Sequence, residues 1–192
     1  MSGDEKILAE LGDDLLAHRK EIVGEWLRAI EQNPDISSSD HLKDKEELAD
    51  HLPELCENLA ELLKSPQSDQ SRAEVFRAAR VHGRHRWRQG YRLEEVIREA
   101  SVVRRIISHS WLDAYARKVP KLDGKTRRAA ENIIHQAVDD VISDSAKQFV
   151  EEQLKATSHL NSRLADALAE VRRQTRAADA AKTTKKRKRP SR

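Results

Sequence analysis

The sequence predicts an all-α fold: a bundle of about five to six helices whose last helix extends far beyond the others. Three observations carry that reading. Apolar residues recur at steps of three and four along most of the chain, the spacing that lines one face of a helix. Only 6 Gly and 5 Pro punctuate 192 residues, too few for a succession of short strands. From Lys125 to Lys188 there is neither Gly nor Pro.

The first helix is expected from Asp4 to Gln32, with Ile7, Leu8, Leu11, Leu15, Leu16, Ile22, Val23, Trp26, Leu27 and Ile30 on its apolar face. Gly12 weakens it slightly, and Asn33-Pro34 ends it, because proline disfavours a helical residue before it. Ser37 to Asp40 offer N-caps for a second helix. That segment carries Leu42, Leu48, Leu52, Leu55, Cys56, Leu59, Leu62 and Leu63, and Pro53 either kinks it or opens a new helix. A third helix is expected over Gln70–Arg88, stopped by Gln89 and by Gly90 as a left-handed cap. The fourth, Leu93–Arg117, has the most continuous apolar stripe. The fifth begins near Lys125 and carries Ala130, Ile134, Val138, Val141 and Phe149 at helical spacing.

Beyond Leu154 the pattern becomes a heptad, with Leu154, Asn161, Leu168 and Thr175 at a and Thr157, Leu164 and Val171 at d. The expected organisation is therefore a helical sensor or input domain over 1–152 and a helical extension over 153–176, suited to a short coiled coil. A disordered basic tail, 177–192, follows. A polar a-position residue such as Asn161 fixes register at a cost in stability.

Charged residues make up 36 % of the chain and aromatics 4 %, so the core must be built from Leu, Ile, Val and Ala. The formal net charge of +3 conceals segregation: residues 1–70 carry −11, 71–128 carry +10, 129–176 carry −2 and 177–192 carry +6. Attraction between the acidic first third and the basic middle is expected within the fold. Cys56 is the only cysteine, which excludes an intramolecular disulfide and a cysteine-rich zinc site. It is expected to pack as a small apolar residue. The start of the chain is acidic where a signal peptide is basic, and no run of about 18 apolar residues exists to insert in a membrane. A cytoplasmic location is expected.

The stretch His82 to Tyr91 is the richest in chemistry. His82 and His85 sit on neighbouring helix faces, which raises metal binding with the distant His109 and His135, or haem ligation by one of the pair. Arg84, Arg86, Arg88 and Arg92 with the interleaved Trp87 suit phosphate contact and base stacking. The structural alternative turns His82 and Arg86 inward onto buried carbonyls or carboxylates of the acidic helices, with Gly83 at a close helix crossing, Gly90 at the turn and Tyr91 packed beyond it. Asp139, Asp140 and Asp144 read as a solvated face. No phosphate loop, nucleophile elbow or zinc-protease motif is present. Catalysis is not expected.

His82-Gly83, Arg86, Gly90-Tyr91, Leu93, Val96, Glu99 and Val103-Arg104 together resemble the RsbRD N-terminal domain family. His18, Ile22 and Trp26-Leu27 resemble its start, so the resemblance covers roughly 8–150. It implies a globin-like or sensor-type helical bundle at the input end of stress-signalling proteins (stressosome components) or sensor histidine kinases, passing a state through a linker helix. Neither a STAS domain nor a kinase follows here, so either the output is expected on a separate protein or the chain is a stand-alone relative.

The resulting expectation is a non-enzymatic sensor or regulatory domain of bacterial stress signal transduction with a signalling-protein partner. His82, Gly83, Arg86, Gly90, Tyr91, Glu99 and Arg104 form its signal or structural cluster. Leu154, Asn161, Leu164, Leu168 and Val171 make a homodimer. The runner-up is nucleic-acid association through Arg84, Arg88, Lys185, Lys186, Arg187, Lys188 and Arg189. A haem or metal sensor is the remaining alternative.

Overall fold

The structure, a computed structural model, describes residues 3–33, 36 and 51–187, with side chains up to residue 177. Among the described residues all regular structure is helical. The elements are α1 (Gly3–Ala17), α2 (Arg19–Glu31), α3 (Leu52–Lys64), α4 (Asp69–Arg88), α5 (Leu93–Arg105), a π-helical segment (Ile106–Trp111), α6 (Leu112–Lys118) and α7 (Gly124–Arg187). No described helix is long and apolar enough to cross a membrane.

The opening helix is two helices, not one. His18 leaves helical geometry at φ −95° and ψ 7°. Its Nδ1 donates to the Asp14 carbonyl at 2.9 Å, and its own carbonyl accepts from Glu21 and Ile22, both at 3.0 Å. A side chain bonded back to the preceding turn stabilises a break that no Gly or Pro signals. Both halves still bury the expected stripe: Leu8, Leu11 and Leu15 on α1, then Ile22, Trp26 and Ile30 on α2. Gly12 serves packing: a Cβ there would lie 2.6 Å from the Ala60 carbonyl of α3.

Pro53 opens α3 within its first turn, where its missing N–H costs nothing. The caps expected at Ser37 to Asp40, with Leu42 and Leu48, lie outside the described residues. Cys56 is fully buried on α3. Burial pushes its thiol up to about 12, with Arg19 pulling down and Glu57 pushing up. The thiolate is the reactive form. Cys56 is therefore expected to resist a thiol-specific aryl disulfide in the folded protein at pH 8 and to react at once in denaturant. Fast labelling of the folded chain would show that α3 is not seated as described.

Ser68 caps α4 by accepting the Ser71 N–H at 3.1 Å. The helix ends in a Schellman turn: Gly90 has φ 80°, its N–H reaches the Trp87 carbonyl at 3.0 Å, and the Tyr91 N–H reaches Arg86 at 3.1 Å. Glu95 then accepts the Arg92 N–H at 2.6 Å and opens α5.

The fourth expected helix contains a change of pitch. Ile106, Ile107, Trp111 and Leu112 are all buried, as is Ser108. The wider π turn keeps both adjacent pairs inside, and such turns are frequent at functional sites.

Asp123 accepts the Thr126 N–H at 2.7 Å and starts α7, and that bond holds its carboxyl below the usual range. Ala130, Ile134, Ala137, Val138, Val141 and Phe149 are buried. The chain divides into two compact units, residues 1–150 and 151–192. In the second, Leu154, Leu160, Leu164, Leu168 and Val171 are between 49 % and 63 % exposed. Helical backbone continues to Arg187. Lys188, Arg189 and Pro190 lie outside the described residues.

Candidate functional site

Inside the first unit, four helices place polar side chains in an otherwise apolar core. Arg86 of α4 and Glu99 of α5 have side chains only 2 % exposed, and Arg86 Nε donates to Glu99 Oε2 at 3.0 Å. Isolated charges in such a medium are costly, and Arg86 makes further contacts. Arg86 Nη1 donates to Gln89 Oε1 at 2.8 Å, and the guanidinium lies 4.8 Å from the Tyr91 ring centroid. In a Schellman turn the residue after the glycine usually makes an apolar contact with the last turn of the helix. Here Tyr91 makes that contact with Arg86 as a cation–π pair. Burial, and next the Glu99 carboxylate, push the Tyr91 phenol above its ordinary value.

From α2, Trp26 Nε1 donates to the Glu99 carbonyl at 3.4 Å. From α7, Ser145 Oγ donates to the Ala79 carbonyl at 2.9 Å and lies 3.3 Å from His82 Nδ1. A hydroxyl has one proton, so His82 Nδ1–H must be the donor in that second bond. This orients the ring and leaves Nε2 facing Glu99 Oε2 at 3.6 Å.

Gly83 makes the assembly geometrically possible. A Cβ there would lie 2.2 Å from the Ser145 carbonyl oxygen and 2.8 Å from its carbon and Cα. Only glycine lets α4 touch the backbone of α7 so closely. One turn further on, Trp87 meets Phe149 edge to face at 5.2 Å between centroids.

The structure thus brings together His82, Gly83, Arg86, Gly90, Tyr91 and Glu99. It separates Arg104, which pairs with Asp139 of α7. Two expectations are corrected. The carboxylate that meets Arg86 comes from the basic middle, not from the acidic first third. Ion pairs between those segments do occur at Arg77–Glu54 and Lys125–Asp4, 2.9 and 2.7 Å, but on exposed side chains. The acids of α7 are not a purely solvated face, because Asp139 pairs with Arg104 and Asp144 has a side chain only 18 % exposed, 3.8 Å from Arg80. Within the basic stretch read for nucleic acid, Arg86 is buried, Trp87 packs on Phe149 and Arg92 pairs with Glu94 at 2.7 Å. Arg84 and Arg88 remain exposed, whereas the side chains of Lys185, Lys186 and Arg187 lie beyond the described ones.

Sequence reasoning missed Trp26, Gln89 and Ser145 as members of the network, and it also missed His51. The His51 ring stands edge-on to His82 and His85, at 5.7 and 4.9 Å. Among the described residues no group of three or more His, Cys, Asp or Glu side chains is placed to hold a metal. His109 is exposed, and His135 Nε2 lies 3.2 Å from Ser108 Oγ, so neither joins the other histidines. The cavity beside His82, lined by Trp26, His51, Leu55, Glu99 and Val103, measures about 50 Å³. That holds a few waters at about 10–15 Å³ of probe volume each, and is far below the roughly 300–1,000 Å³ of small-molecule pockets. Haem does not fit it. The arrangement is suited to fixing how α2, α4, α5 and α7 meet, since its buried polar contacts tie the four helices together.

No curated protein and no solved structure matches the chain. A family model does: the RsbT co-antagonist protein rsbRD N-terminal domain, over residues 20–164. The match covers α2 to α6, the whole polar network, and α7 as far as Arg163 and Leu164 of the exposed extension. It starts later and ends later than the 8–150 read from the sequence. The chain belongs to the RsbRD N-terminal domain family, a family of regulatory domains of stress signal transduction.

Proposed function

We propose that this chain is a non-enzymatic input domain that acts by protein–protein interaction, as a homodimer joined through residues 151–176. The observation that carries this reading is the row of exposed Leu154, Leu164, Leu168 and Val171 on one face of α7, with Leu160 beside it. Large apolar side chains at a and d spacing, left in water, are the signature of a helix that pairs. Burying a leucine contributes roughly 1.5–3 kcal/mol, and association costs at least about 4 kcal/mol. A seam of about three heptads is therefore marginal, and its dissociation constant is expected to be roughly micromolar.

In this reading the bundle receives a state and the extension transmits it to a signalling partner in the cytoplasm. A signal acts only through different affinity for two arrangements of the extension. The polar network of Arg86, Glu99, His82 and Tyr91 keeps the bundle in one register, so that a shift is passed on as a unit. Replacing Leu164 and Leu168 together by glutamate in the full chain is expected to abolish the dimer while leaving the helical signal and melting temperature of the bundle unchanged. A dimer that survives the double change would remove this interface from the account.

A further inference from the structure

A second cavity, of about 330 Å³, lies where the α1–α2 turn meets the π segment and α6. It falls within the size range of small-molecule pockets, roughly 300–1,000 Å³. Asp14, Glu21 and Glu25 line it from α1 and α2, and Trp111, Tyr115 and Lys118 from the π segment and α6. Three carboxylates thus face one exposed lysine. Asp14 and His18 precede the residues matched by the family model, so the cavity is not a feature of the matched segment alone.

Two of the carboxylates are fixed by consecutive residues of the π segment. Ser110 Oγ donates to Glu25 at 2.7 Å, and Trp111 Nε1 donates to Asp14 at 2.8 Å. The wider π turn narrows the angle between successive side chains, so both donors can serve one cavity. His18 lies 3.2 Å from Asp14 and 3.9 Å from Glu21, so the histidine that breaks the opening helix also orders this wall. Trp111 and Tyr115 contribute aromatic surface, with ring centroids 6.3 Å apart. Tyr115 is only 8 % exposed and lines the cavity. Burial, then Glu10 and Asp14, push that phenol upward, so it stays a neutral hydroxyl.

Aromatic surface beside fixed carboxylates recognises a cation with an apolar body. The described acids are not grouped to hold a bare metal ion, which favours an extended organic cation. We infer that this cavity binds a small protonated amine carrying an apolar group. The carboxylates of Glu21 and Glu25 balance its charge, the rings of Trp111 and Tyr115 cover its apolar part, and the Tyr115 hydroxyl accepts one of its N–H bonds. The site is independent of self-association.

The test is calorimetric titration of the full chain with benzylammonium chloride, with benzyl alcohol as the neutral counterpart and magnesium chloride as the bare cation. Saturable binding of benzylammonium is expected, at least about tenfold tighter than either control. Glu21→Gln and Glu25→Gln are each expected to weaken it about three- to tenfold. Glu21 is 77 % exposed, so Glu21→Gln remains informative even where Glu25→Gln lowers the melting temperature. No saturation, equal binding of the alcohol or of magnesium, or unchanged affinity in Glu21→Gln would each overturn the assignment.

Discussion

Arg86→Met is expected to destabilise the fold by about 3–5 kcal/mol, because it leaves the Glu99 carboxylate buried without its counter-ion. Domains are stable by only about 5–15 kcal/mol in total, so a large share of the stability is lost. His82, with Nε2 3.6 Å from Glu99, is too long a contact to replace a guanidinium bonded at 3.0 Å. The double change Arg86→Met with Glu99→Leu is expected to recover most of the loss, since an apolar pair of similar volume avoids both desolvation costs. Urea unfolding of the two single variants and the double variant measures the coupling. A double variant as unstable as the sum of the singles would mean that the pair is not a closed, buried unit.

Gly83→Ala is expected to cost about 1–3 kcal/mol even though alanine is the better helix former by about 1 kcal/mol. The added Cβ would meet the carbonyl oxygen, the carbon and the Cα of Ser145, all backbone, which no rotamer change can move aside. α4 and α7 would have to separate, loosening the His82–Ser145 bond and the Trp87–Phe149 contact together. Gly24→Ala supplies the opposite sign. At Gly24 the nearest neighbour of a Cβ would be the tip of Arg28, at 3.6 Å, an ordinary contact. That change is expected to stabilise α2 by up to about 1 kcal/mol. Thermal melts of the two variants should move in opposite directions, and a shift of the same sign would refute the close crossing at Gly83.

The sequence made legible those features that periodicity and turn chemistry encode locally. The stripes on α1, α2, α5 and α7 follow from three- and four-residue spacing, and the turn at Gly90 from the need for positive φ. The break at His18 was not legible, because it depends on an imidazole bonding to a carbonyl and not on a helix-breaking residue. The π segment was hidden for a related reason. Ile106-Ile107 and Trp111-Leu112 read as ordinary members of a stripe, and adjacent buried pairs also occur on α-helical turns, as at Leu62-Leu63 and Ala137-Val138.

Within the polar network, Arg86 and Glu99 were both singled out, but their pairing was not, since the charge totals pointed Arg86 toward the acidic first third. Arg104 was grouped with them by the family resemblance, yet α5 turns it toward Asp139. Ser145 carried no signal at all: a serine on a helix becomes significant only once Gly83 brings α4 against it.

The central claim, that the exposed face of α7 joins two copies of the chain, is tested most directly by light scattering after size exclusion, across a dilution series. Three proteins are compared: the full chain, the chain ending at Gln153, and the Leu164→Glu, Leu168→Glu double variant. The account predicts twice the 21.9 kDa chain mass for the full chain at high concentration, falling on dilution, with monomers for the other two. A full chain that stays monomeric throughout, or a dimer that persists in both altered proteins, would contradict it.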